Sequence, residues 1–384
     1  MGNPAHAVLQ KKRRVGYVLL ALVVVGVLTR VVTFWRLDRH AICGADFPVF
    51  YAGGQLVGTA DLYSPAAAQA IHKREVGCTS YASVFLRLPY FAALMWPLAK
   101  LPFWQAFALW NVATVGALVG FVWLWPAPRL WSALACAWSL PLAWNITNGQ
   151  DVAFLLLWVA IGVTLIAKNR CFLAGLVLSL CAAKFHMFLL LPLLIAGQRL
   201  WKVGHGLVIG ICVLLAASFA LGGWQWPVRF LAAISDRRID PTPLLLPNLR
   251  GLVHGALVWE VVLASLVAVV TWYVCRCAPF DRALCAVLVG SVLLSHHLSG
   301  ADGAMFLPVA LTLASQARFA WLRLLAVVPV LPTTWFVFAQ PGLGQVASVV
   351  VLVLFCGIAY EVKTSASLAG GPRGAVPTGT RAAG

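Results

Sequence analysis

An all-α protein that crosses a membrane many times is the fold class this sequence predicts, and three observations predict it. Of its 384 residues, 62% are hydrophobic and only 10% are charged, against about 25% charged in an ordinary soluble domain. The mean hydropathy is +0.90. The apolar residues are gathered into long runs separated by short basic or Gly- and Pro-containing breaks, the pattern of membrane helices.

The first run follows Lys11, Lys12, Arg13 and Arg14 and ends near Trp35. At about twenty apolar residues it is long enough to span a bilayer and too long for a cleavable signal, so a retained anchor is expected. Further runs lie near residues 104–125, 130–147, 151–167, 171–183, 186–197, 203–222, 253–275, 281–295, 303–317, 320–339 and 343–360. With the first they predict about twelve transmembrane helices, several short enough to be tilted or broken. Residues 88–101 hold Pro89 and Pro97 in a stretch too short to cross, which predicts a re-entrant segment. Residues 1–361 therefore read as one membrane domain with extracytoplasmic loops at 35–103 and 223–252, the second carrying an amphipathic, aromatic stretch suited to lying on the membrane surface. The Gly- and Pro-rich residues 362–384 are expected to be a disordered tail.

Charge sets the orientation. The net charge of +17 comes from bases scattered between apolar runs, with no basic stripe, so nucleic acid is excluded as a partner. Bases such as Arg129, Lys168, Arg199, Lys202, Arg276 and Arg318 gather on one side, which the positive-inside rule makes cytoplasmic, together with both termini. Asp38, Asp46, Asp61, Glu75, Asp151, Asp236, Asp240 and Asp302 gather on the other. The ten cysteines lie mostly in apolar runs, and neither Cys275 with Cys277 nor Cys78 has metal or redox spacing, so packing roles are expected.

The first outer loop carries the chemistry. Asp46 opens "DFPVFYAGG". It is either a solvated loop carboxylate near the headgroups or an acid held in a cavity, because a carboxylate at membrane depth costs about 2.5–3.5 kcal/mol. Phe47, Phe50, Tyr51 and Tyr63 offer flat faces of the kind that stack on sugar rings. From Trp35 to Arg87 the loop also far exceeds the length of about 15 residues beyond which loops are usually functional or disordered, and it is too aromatic for disorder.

The blocks "DFPVFYAGGQLVGTADLYSP", "LPYFAALMWPLAKLPFWQAFALWN", "NGQDVAFLLL", "FLAGLVLSLCAAKFHMFLLLPLLIAGQRLW", "PNLRGLV" and "LLSHHLSGADGAMFLPVALTL" resemble glycosyltransferase family 87 in order and spacing, over roughly Ala45 to Leu313. The resemblance implies the architecture of the C superfamily of glycosyltransferases. It also implies transfer of a hexose, mannose in the best-known members, from a polyprenyl phosphate donor to a lipid-linked or envelope glycan on the extracytoplasmic face. Inverting transfer needs one base, and the matched acid is Asp46. The leaving phosphate needs cationic or polar partners, and Lys184, His186, Asn248, Arg250, His296 and His297 are on the same expected side. Such a scheme needs no metal and no cofactor.

Each residue also has a plain structural reading. Lys184 is equally a snorkelling lysine, and Phe185 stands where the family often has proline. Gln150 is either a sugar contact or part of a turn in which Asp151 caps the next helix. His296 and His297 with Asp302 lack the i, i+4 spacing of a helical zinc pair. The resemblance makes His297 a donor contact, with Asp302 orienting it or capping the following helix. Arg250 is either a phosphate partner or a helix-start arginine facing headgroups. Two other function classes remain open at this stage. A secondary transporter would show paired broken helices and mid-span ionisable groups, of which Glu260 is the one clear acid. The other is a non-enzymatic envelope assembly factor.

Overall fold

A computed structural model describes residues 4–35, 42–77, 84–236, 247–296, 298–338, 340 and 343–368. Helix α1 is Pro4–Trp35. The outer segment folds as α2 (Asp46–Leu56), α3 (Pro65–Glu75) and α4 (Pro89–Met95), followed by a 3-10 turn at Leu98–Lys100. Then come α5 (Phe103–Leu124), α6 (Arg129–Trp138), α7 (Leu140–Asn148), α8 (Val152–Ala167) and α9 (Cys171–Ser179), which tightens into 3-10 geometry over Leu180–Phe188. Next are α10 (Leu191–Gly197), α11 (Trp201–Gly222), α12 (Trp226–Ile234), α13 (Leu249–Leu252), α14 (Leu257–Cys277) and α15 (Phe280–Leu294). A 3-10 segment at Gly300–Met305 leads into α16 (Phe306–Gln316), α17 (Ala320–Val327), α18 (Pro332–Phe338) and α19 (Gly344–Leu368).

No strand occurs among the described residues. Among the described residues, five helical stretches are long and apolar enough to cross a membrane, or seven if each of two bent pairs is one crossing. The remaining runs of the expected twelve are shorter or interrupted. Proline explains the interruptions: Pro141 stands in the first turn of α7 and Pro332 begins α18, positions where a missing amide proton costs nothing but the preceding helix stops. The pair α7 and α8 bends by 118° between Asn148 and Val152. Residues 88–101 form α4, a turn and the 3-10 turn, none of it long enough to cross. Helix α19 continues to Leu368, so the first residues of the expected tail are helical, and 369–384 lie outside the described residues.

Two apolar clusters hold the chain. The larger is the bundle interior, built mainly from α7 to α11 and α14 to α19. Its tightest seam is α9 against α11, where a side chain on Gly175 would sit 2.1 Å from the Val203 carbonyl oxygen, so only glycine lets the backbones meet. The smaller cluster is aromatic and surrounds α2: Phe47 lies 5.1 Å from Phe107 and 5.5 Å from Phe103 between ring centroids, and Phe50 packs edge-on to Phe91. Phe47, Phe50 and Tyr51 therefore face protein rather than an open sugar site. The disulfide-bonded Cys43 lies just before this cluster, which corrects the expectation of packing roles for it. In the first turn of α15, Arg282 donates to Glu361 at 2.9 Å and to the Gln316 carbonyl.

Candidate active site

Helix α2 starts at Asp46, so the carboxylate sits beside unpaired N-terminal amides at the end of a helix pinned by its aromatic face. Its partner arrives from the elbow between α7 and α8. Gly149 terminates α7 in left-handed backbone, with φ +64°, as a C-terminal glycine does. The Trp110 indole donates to the Gly149 carbonyl at 2.9 Å. Gln150, 2% exposed, then projects its amide onto the Oδ2 of Asp46.

The amide of Gln150 is engaged at both ends. Its Nε2 also donates to the Ser299 hydroxyl at 3.3 Å, and its Oε1 accepts from the Lys184 ammonium at 3.0 Å. Lys184 interrupts the helical backbone at φ −136° and ψ 57°, which turns its side chain inward. There it donates to Asp302 and lies 3.7 Å from Asp151. Asp302 accepts from the Ser299 amide at 2.7 Å in the capping box that opens its own 3-10 segment, Gly300–Met305. Asp151 is fully buried and is gripped by Arg87, at 3.1 Å from Nε and 3.3 Å from Nη2.

Four sequence-selected residues, Asp46, Gln150, Lys184 and Asp302, are thus assembled into one network. A second polar group adjoins it along the same two chain segments. Ser295 bonds the His186 ring at 2.6 Å through its hydroxyl and accepts from Asn248 at 2.7 Å through its carbonyl. The Asn248 oxygen also caps α13 by accepting from Gly251 at 2.8 Å. His296, with a 60% exposed side chain, pairs with Glu260 at 3.1 Å. Arg250 lies half-buried on α13, two residues beyond Asn248.

Other expectations are placed elsewhere. The Tyr51 hydroxyl donates to the Leu101 carbonyl at 2.7 Å, and its ring is buried in the aromatic cluster, so it anchors α2 outside the network. His297 lies outside the described residues. Glu260 is not mid-span but in the first turn of α14. Asp151 stands at the N-cap of α8, yet its side chain caps nothing. Arg87, absent from the sequence-based set, has no local motif to mark it. Its partner is 64 residues away.

Burial raises the pKa of Asp46 above the usual carboxylate value, an effect that Asp151 and Asp302 reinforce and that nearby Lys184 and Arg87 oppose without cancelling. A carboxylate with heightened proton affinity, held by a neutral amide, is suited to accepting a proton.

Gly149→Ala tests the elbow. The new methyl would lie 2.4 Å from the Cβ of Phe47, next in sequence to Asp46. Left-handed backbone costs a non-glycine residue about 1–2 kcal/mol before that clash is counted. The expected result is a lowered unfolding temperature in detergent together with loss of activity.

Residues 85–298, more than half of the chain, match glycosyltransferase family 87. The match takes in Arg87, Gln150, Asp151, Lys184, His186, Asn248, Arg250 and His296, and starts after Asp46. No curated protein and no solved structure matches the chain. An all-helical fold among the described residues, with several membrane-length apolar helices, accords with that match, and the chain belongs to glycosyltransferase family 87.

Proposed function

We propose that the protein transfers a hexose, mannose in our reading, from a polyprenyl phosphate to a hydroxyl of a lipid-linked or envelope glycan, with inversion at the anomeric carbon. The observation that carries this is the Asp46 carboxylate, half-buried and held through Gln150 against Lys184, in a glycosyltransferase chain. Asp46 takes the acceptor proton as the hydroxyl oxygen bonds the anomeric carbon. The bond from that carbon to the phosphate oxygen breaks, and the electron pair leaves with the lipid phosphate. Lys184 is engaged by Asp302 and Gln150, so the half-buried Arg250 is the cationic side chain assigned to that anion, with His186 and His296 as further polar groups.

Three features support an extracytoplasmic site in a multi-pass protein with cytoplasmic termini. The disulfide at Cys43, three residues before Asp46, favours an oxidising compartment. The scattered bases favour the same orientation. Helix α12 exposes Val228, Leu231 and Ile234, as a helix lying in the membrane interface does. Between it and α3 opens a cleft of about 370 Å³ lined by Tyr63, Ser64, Arg229 and Asp236, a size suited to the sugar headgroup of an approaching acceptor. In this reading the shorter helices complete the remaining crossings of a C-superfamily architecture. The transporter alternative loses its mid-span acid, since Glu260 sits at a helix start paired with His296.

The test supplies purified protein with short-chain polyprenyl phosphates carrying labelled mannose, glucose or arabinose and with octyl α-mannoside as acceptor. Transfer from the mannosyl donor supports the reading. Transfer from another donor alone corrects the sugar, and transfer from none overturns it.

The pH dependence carries a sign. Protonated Asp46 cannot accept the acceptor's proton, and burial holds its pKa above the ordinary 3.8. Rate is therefore expected to rise with pH along an acid limb displaced upward from the usual aspartate range. A pH–kcat profile measures it, and a limb at or below that range contradicts the assignment.

A further inference from the structure

Asp151 is at a position where an aspartate ordinarily caps its helix, a contact worth about 1 kcal/mol. It caps nothing, and both of its oxygens face cations instead. Oδ2 accepts from Arg87 Nε at 3.1 Å, while Oδ1 accepts from Nη2 at 3.3 Å and also faces Lys184 at 3.7 Å. Arg87 is itself fixed on two sides. Its backbone carbonyl accepts from the Tyr63 hydroxyl at 3.0 Å, and its guanidinium lies 5.4 Å from the centroid of Phe50, one turn along the helix that Asp46 begins. Lys184 then passes the arrangement on, because the same ammonium holds Gln150, and Gln150 holds Asp46.

We propose that Arg87 and Asp151 are positioning residues for the base: their ion pair fixes Lys184, and through Gln150 it fixes both the orientation of Asp46 and the charge that Asp46 experiences. The proposal rests on Asp46 being the base. Neither residue touches the reacting atoms. Lys184 is shared between Asp302, Gln150 and Asp151, so its place depends on how much of the Asp151 charge Arg87 neutralises. Without Arg87, Asp151 draws Lys184 toward itself and adds an uncompensated negative charge beside Asp46. Without the charge of Asp151, only Asp302 is left to oppose the cations that act on Asp46.

The two partners of one salt bridge should therefore change Asp46 in opposite directions. The charges acting on Asp46 are Lys184, Arg87, Asp151 and Asp302. The other titratable groups on elements packed against α2 are His72, Lys73, Arg74 and Glu75 of α3, Tyr90 of α4 and Lys100 of the 3-10 turn, which the substitutions leave in place.

The experiment is an infrared titration of the full chain in lipid nanodiscs, following the protonated-carboxyl band that disappears in Asp46→Asn. Arg87→Gln is expected to move its midpoint upward and Asp151→Asn downward, each by about one pH unit. Arg87→Lys, which keeps the charge, should leave it near the native value, and the double substitution Arg87→Gln with Asp151→Asn should return it toward that value. The acid limb of kcat should follow the same order. Unfolding temperatures of each variant identify simple structural damage, which has no reason to move two midpoints in opposite senses. Shifts of both single variants in the same direction, or no shift in either, overturn the proposal, as does the lack of a band that Asp46→Asn removes. If the midpoints separate as expected but Asp46→Asn still transfers sugar, the positioning stands and the assignment of the base fails.

Discussion

Asp46→Asn is expected to abolish most transfer, by about 10² to 10⁴-fold in kcat, the usual contribution of a positioned general base. Asparagine has the same shape as aspartate, and its amide oxygen can still accept from Gln150, the contact that holds the native side chain. The aromatic face of α2 is untouched, since Phe47 and Phe50 continue to pack on Phe103, Phe107 and Phe91. The substituted protein should therefore unfold at about the native temperature or above it, because a half-buried group that resists ionisation has been replaced by a neutral one. Rate and unfolding temperature measured on the same preparation separate the chemistry from the fold. Full activity in the variant would remove Asp46 from the mechanism.

Lys184→Met is the substitution with the largest expected effect on stability. The ammonium is 2% exposed and stands between Asp302 and Asp151, which are themselves 2% and 0% exposed. Methionine fills the same volume but leaves the Asp302 carboxylate without its cation. Removing one member of a buried pair typically costs about 3–5 kcal/mol, because the remaining charge is unpaired. Adding Asp302→Asn removes that stranded charge and should recover much of the loss. Thermal unfolding of the two single variants and the double variant gives the coupling energy directly. Additive losses would show that the two side chains do not share one buried network.

Much of the bundle was legible in the apolar runs. Run 104–125 became α5 and run 203–222 became α11 almost residue for residue, because nothing in either interrupts a helix. Run 130–147 split at Ser139, where Pro141 begins a new helix and the Ser139 hydroxyl caps it by accepting from Leu142 at 3.3 Å. Hydropathy averaged over a span is blind to that signal, which is carried by a single serine and a single proline. For the same reason several of the expected crossings fall on helices shorter than a full membrane span.

The site was legible where short motifs carried it and obscure where tertiary pairing did. Asp46, Gln150, Lys184 and Asp302 each stand in a distinctive local pattern, and they meet in space. Arg87 sits in an unremarkable stretch before Pro89, and its importance follows wholly from a carboxylate 64 residues away. Asp151 had a sufficient local explanation as a cap, which tertiary structure overrides. Tyr51 had the right chemistry for a sugar, but the Leu101 carbonyl takes its hydroxyl.

The elbow between α7 and α8 places Gln150 and Asp151 side by side at a turn of 118°. One side chain reaches to Asp46 and the other to Arg87. A rotation of that short joint swings both at once, so proton affinity and cation placement cannot drift separately. Retuning Asp46 would therefore mean changing the two neighbours as a couple, since altering either alone leaves the other aimed at a target that has moved.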